Sequence, residues 1–195
     1  MYYDSMIAKL IVHGATREQA IERMRDALNS FVIRGISSNI PFQAALMQHP
    51  RFQAGQFTTA FIAEEYPKGF NASDVPHDDP ALLMSVAGFV HRRYIDRAAK
   101  VSGQLPGHEL QVGDDWVVIR NGEQHAVTII PADGGYDVVY KGETLKVRSD
   151  WKLGESLFTG TVNGEPFTMQ GERHKLAYRL FHWGTQADLM VMTAR

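Results

Sequence analysis

Eight histidines, three tandem acid pairs, one Asp-Gly-Gly run and one basic cluster are the positions at which this chain could do chemistry. A metal site needs donors spaced to converge on one ion, as two histidines four apart do on a helix face. No histidine pair here stands as His-x-His or His-x-x-x-His, so they read as surface or half-buried side chains. Adjacent residues diverge on a helix and face opposite ways on a strand. Glu64-Glu65, Asp78-Asp79 and Asp114-Asp115 therefore suit capping and solubility better than an acid/base couple. Asp133-Gly134-Gly135 lacks the strand-to-helix setting of a phosphate loop and reads as a turn. There is no Gly-x-Ser-x-Gly elbow, and the absence of cysteine removes thiolate catalysis, disulfides and cysteine-bound metal. Residue types name no catalytic, cofactor-binding or metal-ligating residue.

Recognition of a partner is the chemistry that remains. Ser102 to Asp115, SGQLPGHELQVGDD, is a long connection between two regular elements, and long connections are often functional. Leu105, Pro106, Leu110 and Val112 can supply the apolar centre of an interface, with His108 and Glu109 at its rim. Arg92, Arg93 and Arg97, with Lys100, read first as a solvated helix end whose cations suit the helix dipole. A second partner surface is the alternative reading of those arginines.

These residues need elements to position them. Asp78 or Asp79 can cap a helix whose first turn holds Pro80, and the spacing predicts a helix over 79–100. Ala81, Leu82, Leu83, Met84, Val86, Ala87, Phe89 and Val90 make its first turns apolar nearly all round, which marks a buried helix. After Gly103 come eight short β-rich runs: 116–120, 124–130, 136–140, 144–149, 156–162, 166–170, 176–182 and 187–193. Asn121-Gly122 and Asn163-Gly164 are two-residue hairpin signals between them. An antiparallel eight-stranded β-barrel wrapped around one long central helix satisfies both patterns. A barrel of that size also suits a small-molecule-binding module, the alternative if the helix leaves a cavity.

Upstream, residues 1–13 predict a mostly buried strand, with Met6, Ile7, Leu10, Ile11 and Val12 as its apolar run. Thr16 and Gln19 form a capping box for an amphipathic helix. A short strand over 31–36, a helix capped by Ser38 or Asn39, and a last helix over 59–65 follow. Polar, Gly- and Pro-containing residues 67–77 read as a linker. The expected partition is 1–66, linker 67–77 and 78–195, within which 79–100 is the helix, 102–115 the loop and 116–193 the barrel. One or two strands in 66 residues make a sheet too small to stand alone, so the first part reads as the end of a larger α+β domain.

Lys plus Arg number 20 against 22 acidic residues, which gives no electrostatic reason to expect nucleic acid. No apolar run reaches membrane-spanning length, and no secretory signal pattern is seen at the start.

Residues 2–14, YYDSMIAKLIVHG, with 15–47 closely resemble the C-terminal end of the biotin carboxylase domain in biotin-dependent carboxylases. YPKGF at 66–70, VRSDWKL at 147–153 and TVNGEPFTMQ at 161–170 resemble the α subunit of propionyl-CoA carboxylases. The resemblance implies that 78–195 is a BT domain, which joins biotin carboxylase to carboxyltransferase, and that 102–115 is its hook. It implies biotin, ATP and Mg²⁺ for the whole enzyme, with bicarbonate as substrate. Its implied partners are a carboxyltransferase β subunit and the biotin carboxylase and biotin carrier domains of the same α chain, with no nucleic acid or membrane. The implied setting is the cytoplasm of a bacterium, or the mitochondrial matrix of a eukaryote. The family's biotinyl lysine stands between two methionines, and no Met-Lys-Met occurs here; Lys9, after Met6-Ile7-Ala8, is only an echo of it. By that comparison the segment holds neither the ATP site, the biotinyl lysine nor the carboxyltransferase site.

Overall fold

The computed structural model describes residues 6–72, 75, 77 and 79–193. Among the described residues five helices precede eight strands: α1 (Arg17–Ser30), α2 (Ile40–Gln48), α3 (Pro50–Gln53), α4 (Phe61–Glu65) and α5 (Pro80–Ala99). The strands are β1 (Asp115–Arg120), β2 (Glu123–Ala132), β3 (Gly135–Tyr140), β4 (Glu143–Arg148), β5 (Leu157–Val162), β6 (Glu165–His174), β7 (Ala177–His182) and β8 (Thr185–Thr193).

Local chemistry explains the meander. Asn121-Gly122 and Asn163-Gly164 both adopt positive φ at each central position, as a type I′ turn requires. Each strand pairs antiparallel with the next, and β1 pairs with β8, so the sheet closes into a barrel. The weakest junction is β4 with β5, paired only at Val147 with Val162 and Arg148 with Thr161. Asn163 Oδ1 accepts from Lys146 N at 2.8 Å and reinforces it. β6 runs past the expected end at Gln170 because Gly171 continues the strand where a side chain would collide with the Phe158 ring.

Asp79 caps α5 by accepting from Leu82 N at 3.0 Å, while Asp78 lies outside the described residues. Leu82 through Val90 are all buried, and their apolar members form one cluster with the inward residues of the barrel strands. Phe89 and Val86 are fully enclosed. Gly88 lets the barrel wall approach, since a Cβ there would lie 2.9 Å from Ile129 Cδ1. The helix side chains occupy the interior that a ligand-binding barrel would keep open.

Two expected strands do not form among the described residues. Among the described residues of 1–13, residues 6–13 carry no regular structure, and residues 1–5 lie outside the described set. Met6, Ile7 and Ile11 are exposed there. Residues 31–36 are likewise irregular. A strand needs a neighbour's ladder, and the described residues of the two segments take part in none.

The first segment instead docks on the outside of the barrel, against β6 and the β7–β8 turn. Gln170 Nε2 donates to the carbonyls of Leu28 and Phe31, at 3.2 and 3.3 Å. Asn29 Oδ1 accepts from Trp183 N at 3.0 Å, and the Arg25 guanidinium stacks over the Trp183 ring. α2 rests on Gly184, where a Cβ would come within 2.6 Å of Ala45 N. The linker end is held too: His77 is buried, its Nε2 lies 2.7 Å from His182 Nδ1, and its Nδ1 accepts from Asp79 N. Because Nδ1 of His77 accepts, its Nε2 carries the proton and donates to His182. Burial, then the nearby His77 and Arg25, push the His182 pKa down to about 3. Linker residues 73, 74 and 76 lie outside the described set.

Candidate docking surface

The strands alternate in direction, so one barrel end gathers the start of β1, the turns β2–β3 and β6–β7 and the connection β4–β5. The loop from α5 to β1 emerges at this end, and the first segment occupies the other.

Arg92 anchors the base of the loop. The sequence reading placed it on a solvated face, but the side chain is buried, only 4% exposed as a residue. Its Nε donates to Asp96 Oδ1 at 2.7 Å, and its Nη1 reaches Ile129 O at 2.7 Å, Asp114 Oδ1 at 2.8 Å and Gly113 O at 3.2 Å. Burial works against the guanidinium charge, yet the bonds to Asp96 and Asp114 more than offset it and hold the pKa above its ordinary value. Tyr136 donates to the second Asp96 oxygen at 2.7 Å, and burial together with that bond raises the Tyr136 pKa. Buried charge persists when its polar groups are satisfied, and here Nε and Nη1 of Arg92 and both oxygens of Asp96 are. The helix face toward the core, not a charge run, decides where Arg92 points.

Arg93 is half-buried, donates to Trp151 O at 2.8 Å and lies over the Phe89 ring, whereas Arg97 is exposed. Arg92, Arg93 and Arg97 therefore do not form one surface.

The loop itself is ordered by few groups. Leu105 to His108 make a turn closed by His108 N donating to Leu105 O at 2.9 Å, with Gly107 at φ 78°. Glu109 Oε1 accepts from Gly107 N at 3.1 Å. Backbone N–H groups of Glu109 and Gly107 hold the Glu109 carboxylate below its ordinary pKa. Leu105 is 72% exposed and Leu110 46%, and Pro106, His108 and Glu109 are exposed between them. These five share one tip. Val112 does not join them, because it packs against the barrel core.

Sequence reasoning missed Gln104, whose carboxamide ties the two limbs together. Its Nε2 donates to Ala99 O at 2.8 Å and Val101 O at 3.1 Å, and its Oε1 accepts from Leu110 N at 2.7 Å. It also missed Asp96, although the i,i+4 spacing from Arg92 was a usable signal. The described residues contain no group of three or more His, Cys, Asp or Glu able to hold a metal ion. No described helix is long and apolar enough to cross a membrane.

Comparison with known proteins matches two family models. Residues 83–195 match the propionyl-coenzyme A carboxylase BT domain, and residues 1–64 match the biotin carboxylase C-terminal domain. The propionyl-CoA carboxylase alpha chain of Ruegeria pomeroyi is 41% identical over 196 residues, covering 100% of this chain and 29% of that protein. The mitochondrial propionyl-CoA carboxylase alpha chain of Mus musculus is 31% identical over 182 residues, covering 87% of this chain and 24% of its own length. Biotin carboxylase 1 of Bacillus subtilis is 54% identical over 61 residues, 31% of this chain and 14% of that protein. The chain thus spans less than a third of the length of these relatives.

Proposed function

This chain belongs to the propionyl-coenzyme A carboxylase BT domain family, and from that premise we propose that it is the docking segment of a biotin-dependent acyl-CoA carboxylase α chain. Residues 1–66 are the end of a biotin carboxylase domain, 67–77 the linker and 78–195 the BT domain. The complete enzyme carboxylates biotin with ATP, Mg²⁺ and bicarbonate, then transfers the carboxyl group to propionyl-CoA at a carboxyltransferase β subunit. It works in the cytoplasm of a bacterium or the mitochondrial matrix of a eukaryote. The chain's own contribution is to hold biotin carboxylase and carboxyltransferase within reach of the biotin carrier domain of the α chain, where tethering raises effective concentration.

The observation that carries this reading is the tip from Leu105 to Leu110: two exposed leucines on a loop whose base is locked to the barrel core. Rigid elements presenting apolar anchors fit a protein interface. Pro106, His108 and Glu109 complete that interface. Val112 supports it from behind, and Arg97 is the exposed one of the three arginines left to touch a partner. The ligand-binding alternative loses support because α5 fills the barrel core.

In the full α chain, Leu105→Asp with Leu110→Asp is expected to weaken binding of the carboxyltransferase subunit at least tenfold, with the unfolding temperature of the barrel unchanged. Titration calorimetry against the purified subunit reads the effect. Unchanged affinity in the folded double variant removes the loop from the interface.

A further inference from the structure

Resting on the docking reading above, we propose that Gln104 is the positioning residue of the loop, presetting the shape in which Leu105 and Leu110 meet the partner. The loop has little else to hold it. Between Val101 and Gly113 one backbone to backbone bond forms, His108 N to Leu105 O, and that bond closes only the turn at the tip. The approach of the two limbs depends on the Gln104 carboxamide. Its Nε2 donates to Ala99 O, the last carbonyl of α5, and to Val101 O two residues beyond it, and its Oε1 takes the amide of Leu110 on the returning limb.

The chemistry is specific to a primary amide of this length. Two donors and one acceptor are satisfied from a single planar group, so one side chain caps the helix end and pins the loop together. A leucine or methionine of similar reach has neither function, and an acid loses both donors. The side chain is half-buried beneath the tip, where it supports the interface without being part of it.

The consequence is energetic. A loop fixed before binding does not lose that freedom on binding, so preorganisation appears as affinity without any new contact. Leu105 and Leu110 sit on opposite limbs, and Leu110 is the residue whose amide Gln104 holds. Releasing the clamp lets the two anchors separate while each remains chemically intact.

The test compares Gln104→Met and Gln104→Ala with the unaltered full α chain, in three measurements. Hydrogen exchange of the free chain is expected to show faster exchange at the Leu110 amide in both variants. Affinity for the carboxyltransferase subunit is expected to fall about tenfold, and the unfolding temperature of the barrel to stay within experimental error. If exchange at Leu110 does not change, the clamp does not order the loop and the proposal fails. If exchange rises but affinity stays within twofold, while Leu105→Asp with Leu110→Asp still weakens binding, docking by the loop stands and positioning by Gln104 is overturned. If neither set of substitutions alters affinity, the docking reading itself falls and takes the proposal with it.

Discussion

Arg92, the half-buried His91 and the buried His182 show what a residue-level reading can and cannot reach. Type and spacing place Arg92 in a basic run, but its surroundings come from Asp114, Ile129 and Tyr136 beyond, distant in sequence and converging only in the fold. His91 and His182 are similar. His91 lies edge-on to Trp116 with its Nδ1 3.1 Å from the Tyr178 hydroxyl, and burial, then Arg173, push its pKa down to about 4. Tyr178 is pushed up to about 12 by the same burial. Both histidines stay neutral in the folded chain well below 6.5, where the unfolded chain already takes up protons. The unfolded state thus binds more protons as pH falls, so the stability they contribute is complete above pH 6.5 and is lost toward about 4 for His91 and about 3 for His182. Each contributes a slope of up to about 1.4 kcal/mol per pH unit in that window. Urea unfolding at pH 7 and pH 5 is expected to show this loss, and His91→Gln to flatten it. An equal slope in the variant contradicts the assignment to His91.

At the scale of elements, α5 and the barrel strands were legible because their signals are local. The all-round apolar face of Leu82 to Val90 and the Asn-Gly turns operate within a few residues of each other. The strands expected at 1–13 and 31–36 were not, since apolar content alone cannot supply a pairing partner. Ile11, 80% exposed, shows that an apolar side chain in such a run need not be buried. Gly88 tests how closely helix and barrel are fitted. An alanine there meets only the flexible end of Ile129, and the gain in helix propensity offsets the contact, so Gly88→Ala is expected to be neutral within about 1 kcal/mol. Gly88→Val puts branched atoms against the same wall and is expected to cost about 1–3 kcal/mol. Equilibrium unfolding that finds the two substitutions equivalent contradicts close packing of α5 against β2.

For the whole molecule, the two barrel ends differ. One receives the first segment through Gln170, Asn29 and Gly184, long-range contacts that no local pattern announces. The other presents the Leu105 to Leu110 tip, whose residues were legible as a long apolar-centred loop while Gln104, which holds them, was not. Lysines mark both ends: Lys100, Lys152 and Lys175 are exposed at the loop end, and Lys141 is exposed at the β3–β4 turn of the opposite end. The most direct measurement is lysine cross-linking with mass spectrometry on the assembled α chain and carboxyltransferase subunit. Docking through the loop end predicts cross-links to the partner from Lys100, Lys152 or Lys175 and none from Lys141. Partner cross-links from Lys141, with the three loop-end lysines silent, would contradict it.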